Sequence, residues 1–368
     1  MKLSAPLLTA TALLSPATAQ LHDLAKQAGL LYFGAATDTP HQRERAPYPE
    51  SYAQYDAILN DPSEFGQTTP TNGQKWLFVE PQSRLFNFTE GDYVADLAQN
   101  TNKLLRCHAL VWHSQLAPWV ETTEWTPETL TGAITRHIRA VAGYYRGRCY
   151  AWDVVNEALD EDGTYRKSVF YEVLGEEYLK LAFRVAAEVD PDAKLYYNDY
   201  GIERPDSVKT AGAVRLVTML KDAGVRIDGV GMQAHLHADN HPTAEELIAT
   251  SEGYGALVDE VAFTELDVRI KMPANETKLE WQKECYQKVV TACVKVKACV
   301  GITLWDFYDP FSWVPDVFEG QGASLVWFED FSKHPAYDGM VQTFKKLIGD
   351  KPGNGCKRRR RSVAGGKA

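Results

Sequence analysis

The sequence has no long apolar run, no glycine-rich phosphate turn and no internal repeat, and each absence excludes a class of protein. A membrane-spanning helix needs about 20 apolar residues, and no segment qualifies. A dinucleotide-binding sheet is disfavoured because no GxGxxG turn follows the first strand-like run. No low-complexity linker precedes Lys351, and no cysteine-framed aromatic appendage suggests a separate sugar-binding module.

The sequence has fewer basic than acidic residues. The chain carries 39 Lys and Arg against 49 Asp and Glu, which gives a net charge of −10. Six of the basic residues lie at the C-terminal end, at 357–361 and Lys367, and subtracting their charge from −10 leaves −16 for the rest. A body this acidic repels nucleic acid and anionic membranes, so neither is expected as a partner. A neutral polymer is the better candidate.

Both ends of the chain have the composition of segments outside a folded domain. Lys2, the apolar run 5–14 and the small residues 17–19 form the pattern of a secretory signal peptide. We therefore expect residues 1–19 to be removed and the protein to be secreted and extracellular. Residues 351–368, rich in Gly and Arg, predict a disordered basic tail, which leaves 20–350 for a single domain.

Six cysteines in a secreted chain indicate disulfides. Cys293 and Cys299 bracket the short link from a predicted helix to a predicted strand and are the first expected pair. Cys107 and Cys149 fall on neighbouring predicted strands, where a cross-strand bridge is geometrically possible. Buried free thiols are the alternative for either pair. The two cysteines left over, which can pin the tail, are Cys285 and Cys356.

Two Asn-x-Thr triplets are candidate N-glycosylation sites, because a secreted chain meets the machinery that modifies them. They begin at Asn87 and Asn275. Each is expected to be modified only if its asparagine is exposed.

Short apolar runs alternate with amphipathic segments along the chain. The predicted strands are 31–36, 67–69, 104–112, 150–156, 194–198, 229–235, 260–267 and 301–307. The predicted helices between them include 129–145, 176–189, 207–223, 243–257 and 280–296. This alternation implies parallel strands joined by right-handed crossovers, and eight such units close into an α/β fold, the (β/α)8 TIM barrel. A doubly wound open sheet is the competing architecture, and 67–69 is the weakest strand because it has little apolar content.

Two of the predicted strands end on a glutamate. Glu157 follows the fourth and Glu265 lies near the end of the seventh, and in a parallel barrel all strands end at one mouth. A single glutamate there is typical of a solvated loop. Two on opposite walls favour glycosidic bond cleavage, which needs one proton donor and one nucleophile.

Further polar and aromatic side chains converge on the same mouth. The polar residues are Asn72, Lys75, His108, His113, Gln115, Asn156, Gln233 and His235. The aromatic residues that offer flat walls to sugar rings are Trp112, Trp305 and Trp313. Trp76 and Trp152 are expected in the core.

These residues lie in stretches that resemble glycoside hydrolase family 10, the endo-β-1,4-xylanases, over about residues 21–348. The matching stretches are HALVWHSQ (108–115), WDVVNEA (152–158), GMQAH (231–235), TELD (264–267), ITLW (302–305), SWVP (312–315) and GQG (320–322), together with Thr69, Pro70, Asn72, Lys75 and Trp76. The resemblance implies a secreted, monomeric, retaining glycosidase that cleaves internal bonds of xylan without a cofactor or a metal.

By that resemblance Glu157 is the general acid/base and Glu265 the nucleophile. Asn156 bonds the sugar 2-hydroxyl, while Gln233 and His235 orient Glu265. The remaining residues hold sugars: Lys75, His108 and Trp112 line the subsite of the attacked sugar, Asn72 and Gln115 the next one, and Trp305 and Trp313 close over the rings.

Four residues depart from the family pattern. Thr71 replaces a glutamate that binds the second sugar, Gln74 a methionine, and Cys107 and Asp306 each a glycine. The missing carboxylate removes a hydrogen bond worth about 1.5–3 kcal/mol. The substrate therefore stays open between xylan and the saponin glycoside that related fungal tomatinases cleave.

Two other classes of protein fit the sequence less well. The His235-Leu236-His237 sequence, near His108 and His113, has the His-x-His form of barrel metal sites. Adjacent strand residues face opposite ways and no ligating carboxylates stand out, which disfavours a metal hydrolase. A non-catalytic sugar-binding protein is disfavoured because such proteins usually lose one catalytic carboxylate, whereas this chain keeps both.

Overall fold

The computed structural model describes residues 20–38 and 49–350. The predicted signal peptide, the basic tail and Cys356 lie outside the described residues. None of the helices in these two ranges is long and apolar enough to cross a bilayer.

Eight parallel strands close into a barrel. They are β1 (Tyr32–Thr37), β2 (Gln67–Pro70), β3 (Leu104–Trp112), β4 (Ala151–Asn156), β5 (Lys194–Asp199), β6 (Gly229–Met232), β8 (Glu260–Lys271) and β9 (Cys299–Leu304). Each pairs with its neighbour in this order, β1 pairs with β9, and the additional pairing of β8 with β9 closes the ring. The predicted (β/α)8 barrel is confirmed, and the open sheet is excluded. Two short strands, β7 (His235–His237) and β10 (Gln321–Gly322), pair with the outer half of β8.

The helices surround the barrel. They are α1 (Leu21–Ala28), α2 (Pro49–Asn60), α3 (Trp76–Val79), α4 (Thr89–Asn100), α5 (Pro118–Thr122), α6 (Pro127–Tyr144), α7 (Val169–Leu174), α8 (Glu177–Val189), α9 (Val208–Asp222), α10 (Ala244–Gly255), α11 (Glu276–Lys295), α12 (Val314–Val317) and α13 (Pro335–Gly349). Local caps fix several starts: Thr126 and Thr243 each form a capping box at the head of α6 and α10.

The second strand is real despite its polar sequence. All four residues of β2 are buried. Gln67 Nε2 donates to Thr69 Oγ1 (2.8 Å), and Gln67 Oε1 accepts from Thr303 Oγ1 of β9 (2.7 Å). The polar side chains form hydrogen bonds with one another inside the barrel, so β2 can be buried although it has little apolar content.

The sixth predicted strand, 229–235, is broken in two, which corrects the sequence prediction. β6 ends at Met232 and β7 begins at His235. Between them Ala234 has φ 61°, and its N–H donates to the buried carboxylate of Glu203 (2.9 Å) instead of to a neighbouring strand. The break turns both Gln233 and His235 toward the barrel mouth.

Both expected disulfides are present. Cys107 of β3 is bonded to Cys149 just before β4, with Cα atoms 5.8 Å apart. Cys293 of α11 is bonded to Cys299 of β9, with Cα atoms 5.1 Å apart. Cys285 is a buried free thiol in the described part of the chain.

Two further expectations concern burial. Trp76 and Trp152 lie in the core, 3% and 0% exposed. Asn87 and Asn275 are both exposed. Asn275 also caps α11, since its Oδ1 accepts the N–H of Lys278 (3.0 Å).

Candidate active site

A cavity of about 1630 Å³ opens at the carboxyl ends of the barrel strands. All twelve residues predicted for catalysis and sugar binding line it: Asn72, Lys75, His108, Trp112, Gln115, Asn156, Glu157, Gln233, His235, Glu265, Trp305 and Trp313. Their grouping follows from the barrel, because parallel strands deliver their carboxyl ends to one face.

Glu157 stands immediately after β4 in a left-handed backbone conformation, with φ 54°. Its N–H donates to the carbonyl of Asn198 on β5 (2.9 Å). The carboxylate accepts from Trp112 Nε1 (2.8 Å) at Oε2, and from Gln233 Nε2 (3.0 Å) and Asn156 Nδ2 (3.3 Å) at Oε1. Neutral donors on three strand ends therefore hold this carboxylate in the cavity wall.

Glu265 lies on β8 in a more enclosed setting and is 5% exposed. Its Oε1 accepts from Asn198 Nδ2 (2.7 Å), and its Oε2 lies 3.2 Å from His235 Nε2. The other imidazole nitrogen, Nδ1, is 2.8 Å from Asp267 Oδ2, which also accepts from Trp313 Nε1 (2.8 Å).

His235 is cationic at neutral pH. Burial disfavours the charged imidazolium, but the adjacent carboxylates of Asp267 and Glu265 outweigh that cost and raise the pKa of His235 to about 10. Both ring nitrogens therefore carry hydrogens, and each donates to one carboxylate. The charge and the two hydrogen bonds hold Glu265 in one orientation.

Three amides connect the two glutamates. Asn156 Oδ1 accepts from Asn198 Nδ2 (2.9 Å) and from Gln233 Nε2 (3.2 Å). Gln233 bonds Glu157 and Asn198 bonds Glu265, so the carboxylates belong to one hydrogen-bonded network. Asn198 was missed by the sequence analysis. Its signal was available, because it falls at the end of the fifth predicted strand as Asn156 does at the end of the fourth.

Lys75 organises the wall beside β2. Its Nζ donates to Gln115 Oε1 (2.6 Å) and Asn72 Oδ1 (3.0 Å) and lies 4.7 Å from the ring centre of Trp112. Burial lowers the pKa of Lys75 to about 8, against the opposing pull of Glu265 and other nearby carboxylates. Asp38, also missed, accepts from Asn72 Nδ2 (2.6 Å) and lines the cavity.

His108 is held from behind by a buried ion pair. Its Nδ1 lies 2.9 Å from Asp153 Oδ2, while Asp153 Oδ1 accepts from Arg106 Nη2 (2.8 Å). Burial favours the neutral acid, but Arg106 and His108 outweigh it and lower the pKa of Asp153. Neither Asp153 nor Arg106 was predicted, because both lie inside strands that look like ordinary core.

Comparison with known proteins decides the family. The model of glycosyl hydrolase family 10 matches residues 20–343. The chain belongs to glycosyl hydrolase family 10. The endo-1,4-beta-xylanase A of Humicola insolens is 67% identical over 87% of this chain and 85% of its own length. The endo-1,4-beta-xylanase 1 of Gibberella zeae is 41% identical over 92% of this chain and 95% of its own length.

Solved family 10 structures share the fold. A xylanase of Bispora sp. MEY-1, solved with xylobiose, has a TM-score of 0.82 and 38% identity, covering 88% of this chain and 99% of that one. The endo-1,4-beta-xylanase of Penicillium canescens has a TM-score of 0.84 and 38% identity, covering 89% and 98%.

Two of the departures from the family 10 pattern compensate each other. Gln74 Oε1 accepts the N–H of His108 (3.0 Å), and its Nε2 contacts Cys107 Sγ (3.4 Å). The polar group at 74 and the sulfur at 107 thus support β3 together. Thr71 is different: it is 9% exposed, and its Oγ1 is buried without a hydrogen-bond partner among the described residues.

Both histidines of the His235-Leu236-His237 sequence bond to other side chains. His235 bonds two carboxylates, and His237 Nε2 accepts from Arg269. Within 20–38 and 49–350, no group of three or more His, Cys, Asp or Glu side chains could hold a metal ion. His113, which lies 3.9 Å from Glu157 Oε2, has its pKa lowered by burial.

Proposed function

We propose that the protein is a retaining endo-1,4-β-xylanase that hydrolyses internal β-1,4-xylosidic bonds of xylan. The observation that carries the proposal is the pair of differently supported carboxylates on one cavity. Glu265 is fixed between Asn198 and a cationic His235, while Glu157 is held only by neutral donors. The names of the relatives, which are xylanases, agree with this substrate.

In the first step Glu157 donates its proton to the glycosidic oxygen while Glu265 attacks the anomeric carbon. The bond from that carbon to the leaving sugar breaks, and a bond to a Glu265 oxygen forms. Asn156, which is fixed by Asn198 and Gln233, is placed to bond the 2-hydroxyl of the attacked sugar. His235 keeps the attacking oxygen oriented.

In the second step the roles reverse. Glu265 is now an ester without charge, and Glu157 is a carboxylate. Glu157 removes a proton from water, and the resulting hydroxide attacks the anomeric carbon and displaces Glu265. Two inversions leave the β configuration unchanged, and both carboxyl groups return to their starting states.

The cavity walls match a pentose polymer. Lys75, Asn72 and Gln115 offer polar contacts in the cavity, and Trp305 and Trp313 add apolar walls. Trp305, which is 8% exposed, meets the ring of His108 edge-on with ring centres 5.3 Å apart. We propose that this closeness disfavours the hydroxymethyl group of glucose.

The remaining assignments are part of the same proposal. We assign residues 1–19 to a signal peptide, 20–350 to the catalytic barrel and 351–368 to a basic tail. The protein is proposed to act outside the cell as a monomer, with no nucleic-acid or membrane partner, and to be glycosylated at Asn87 and Asn275. Mass spectrometry of the secreted protein before and after enzymatic deglycosylation tests the ends and both asparagines together.

The decisive experiment is product analysis on xylan, xylo-oligosaccharides and tomatine. We expect a rapid fall in xylan viscosity, short xylo-oligosaccharides, and β-anomers as the first products in early NMR spectra. Unchanged viscosity together with sugar release from tomatine would replace xylan by a saponin, the substrate that Thr71 leaves open. First-formed α-anomers would contradict the proposed roles of both glutamates.

A further inference from the structure

Asp306 follows Trp305 directly and lines the cavity with it. Its backbone is left-handed, with φ 68°. Glycine, asparagine and aspartate adopt this conformation more readily than other residues. The chain thus keeps the backbone that suits the glycine of the family pattern but adds a carboxylate at the edge of the cavity.

Both oxygens of the Asp306 carboxylate accept hydrogen bonds within the fold. Asp306 Oδ1 accepts the N–H groups of Phe307 (2.6 Å) and Tyr308 (3.1 Å), which fixes the turn that follows Trp305. Asp306 Oδ2 accepts the hydroxyl of Tyr55 (3.1 Å). Asp306 is 2% exposed and Tyr55 1%, and a buried carboxylate is tolerated only when it is bonded in this way.

Tyr55 connects the turn after β9 to the end of β1. It belongs to α2, and its ring stacks on Phe307 with centres 4.5 Å apart and planes 14° apart. Its hydroxyl is also 3.0 Å from the Oγ1 of Thr37, the last residue of β1. Asp306, Tyr55 and Thr37 therefore tie the turn after Trp305 to the end of the neighbouring strand.

We propose that Asp306 is a positioning residue that fixes Trp305 and thereby sets the discrimination between xylose and a hexose. This inference rests on the proposed function. Trp305 is the residue before the turn, and its backbone N–H donates to the carbonyl oxygen of Leu266 on β8 (3.1 Å). Because this bond fixes Trp305 on its amino side, the turn held by Asp306 is a second restraint on the indole ring. Loosening that turn widens the space between Trp305 and His108.

Three variants test the link. D306G keeps a residue suited to the left-handed backbone and removes the carboxylate, while Y55F removes only the hydroxyl that Asp306 binds. D306N is the conservative variant, because asparagine also tolerates the left-handed conformation and still hydrogen-bonds. The readout is kcat/KM for an aryl β-xylobioside divided by kcat/KM for the matching aryl β-cellobioside.

We expect D306G to lower this ratio about tenfold, within the range by which apolar pockets discriminate small groups. Y55F should lower it less, and D306N should stay within about twofold of wild type. In the double variant D306G/Y55F the second change should add little, because the bond is already lost.

Y337F is the matched control. Tyr337 donates to Glu64 Oε2 (2.9 Å), also a buried hydroxyl–carboxylate pair, but one that lies away from the cavity. It should leave the ratio unchanged whatever it does to stability. If D306G keeps the wild-type ratio of the two kcat/KM values, or if Y337F lowers that ratio as much as D306G does, this inference is wrong but the proposed function stands. A wild-type enzyme that prefers the cellobioside would overturn the proposed function instead.

Discussion

At the amino ends of the barrel strands, Glu260 Oε2 accepts hydrogen bonds from Tyr150 and Tyr196, each at 2.7 Å. At the carboxyl ends, Glu157 and Glu265 are likewise bonded by neighbouring side chains, but they face a cavity. We call the amino-end region the floor and the carboxyl-end region the mouth. The floor uses a carboxylate to join strands, whereas the mouth uses carboxylates that are held in place and still open to a ligand.

The backbone differs between the two regions as well. Five non-glycine residues with positive φ cluster at the mouth: Gln115, Glu157, Ala234, Asp306 and Ala323. Left-handed backbone in such residues costs of the order of 1–3 kcal/mol each and persists where the surroundings enforce it. At the mouth this cost serves to aim side chains, since Glu157 itself is one of the five.

The largest expected effect separates a mouth glutamate from a floor glutamate. Glu265→Gln removes the proposed nucleophile with little change in shape, and kcat on xylan should fall by about 10⁴-fold or more. Glu260→Gln keeps an acceptor for both tyrosines and should leave kcat within about threefold of wild type. Steady-state rates on xylan, with circular dichroism to confirm folding, make the measurement.

The comparison fails if the two variants lose activity equally. It also fails if the kcat of E265Q equals that of wild type, because the mouth carboxylate would then only bind sugar. A loss of activity in E260Q alone would make the floor part of the catalytic machinery.

A smaller loss is expected at the other mouth glutamate. Glu157→Gln removes the proton donor, and general acid catalysis contributes about 10²–10⁴-fold. The loss in kcat/KM should be large on xylan, whose leaving sugar needs a proton, and much smaller on a dinitrophenyl xylobioside, whose leaving group does not. Burst kinetics on the activated substrate should then show a glycosyl-enzyme that accumulates, because the base of the second step is missing.

An equal loss on both substrates would contradict this role. It would place Glu157 among residues that bind sugar, like its neighbour Asn156, and would leave the proton to another group such as His113.

The mouth was more predictable than its supports. Glutamates at the ends of predicted strands can be recognised from the sequence alone. The rule that parallel strands end at the same face then predicts that Glu157 and Glu265 share one cavity. β3 (Leu104–Trp112) has the bounds that its apolar run predicts. The closed barrel follows from eight repeated units, and even the polar β2 keeps its place because its hydrogen bonds are satisfied internally.

What the sequence could not reveal depends on distant pairs. Asp306 and Tyr55 are 251 residues apart, and nothing local to either predicts their bond. The Arg106–Asp153 pair behind His108 lies within two strands that read as core. The break at Ala234 depends on Glu203, which supplies the acceptor that a straight strand would have provided. Local patterns give the elements, but the partners of buried polar groups are set by the closed barrel.

The smallest expected effect is on stability and belongs to the floor side. Glu64 lies just before β2, is 1% exposed and accepts from Tyr337. Burial raises the pKa of Glu64 from 4.5 to about 7, despite the opposing bond from Tyr337. The folded state therefore holds a proton that the unfolded chain releases near pH 4.5. The stability linked to that proton is present below pH 4.5 and is lost as the pH rises through 7.

Glu64→Gln imitates the protonated acid and removes this dependence. Its free energy of unfolding should equal that of wild type near pH 4.5 and exceed it by up to about 3 kcal/mol above pH 7, because a tenfold change in an acid dissociation constant corresponds to about 1.4 kcal/mol. Denaturant unfolding at intervals from pH 4.5 to 8 measures the difference, and kcat on xylan should not change. Parallel stability curves would mean that Glu64 ionises alike in both states. A change in kcat would instead mean that this floor carboxyl acts on the mouth through the strands between them, and the functional separation of the two regions would be lost.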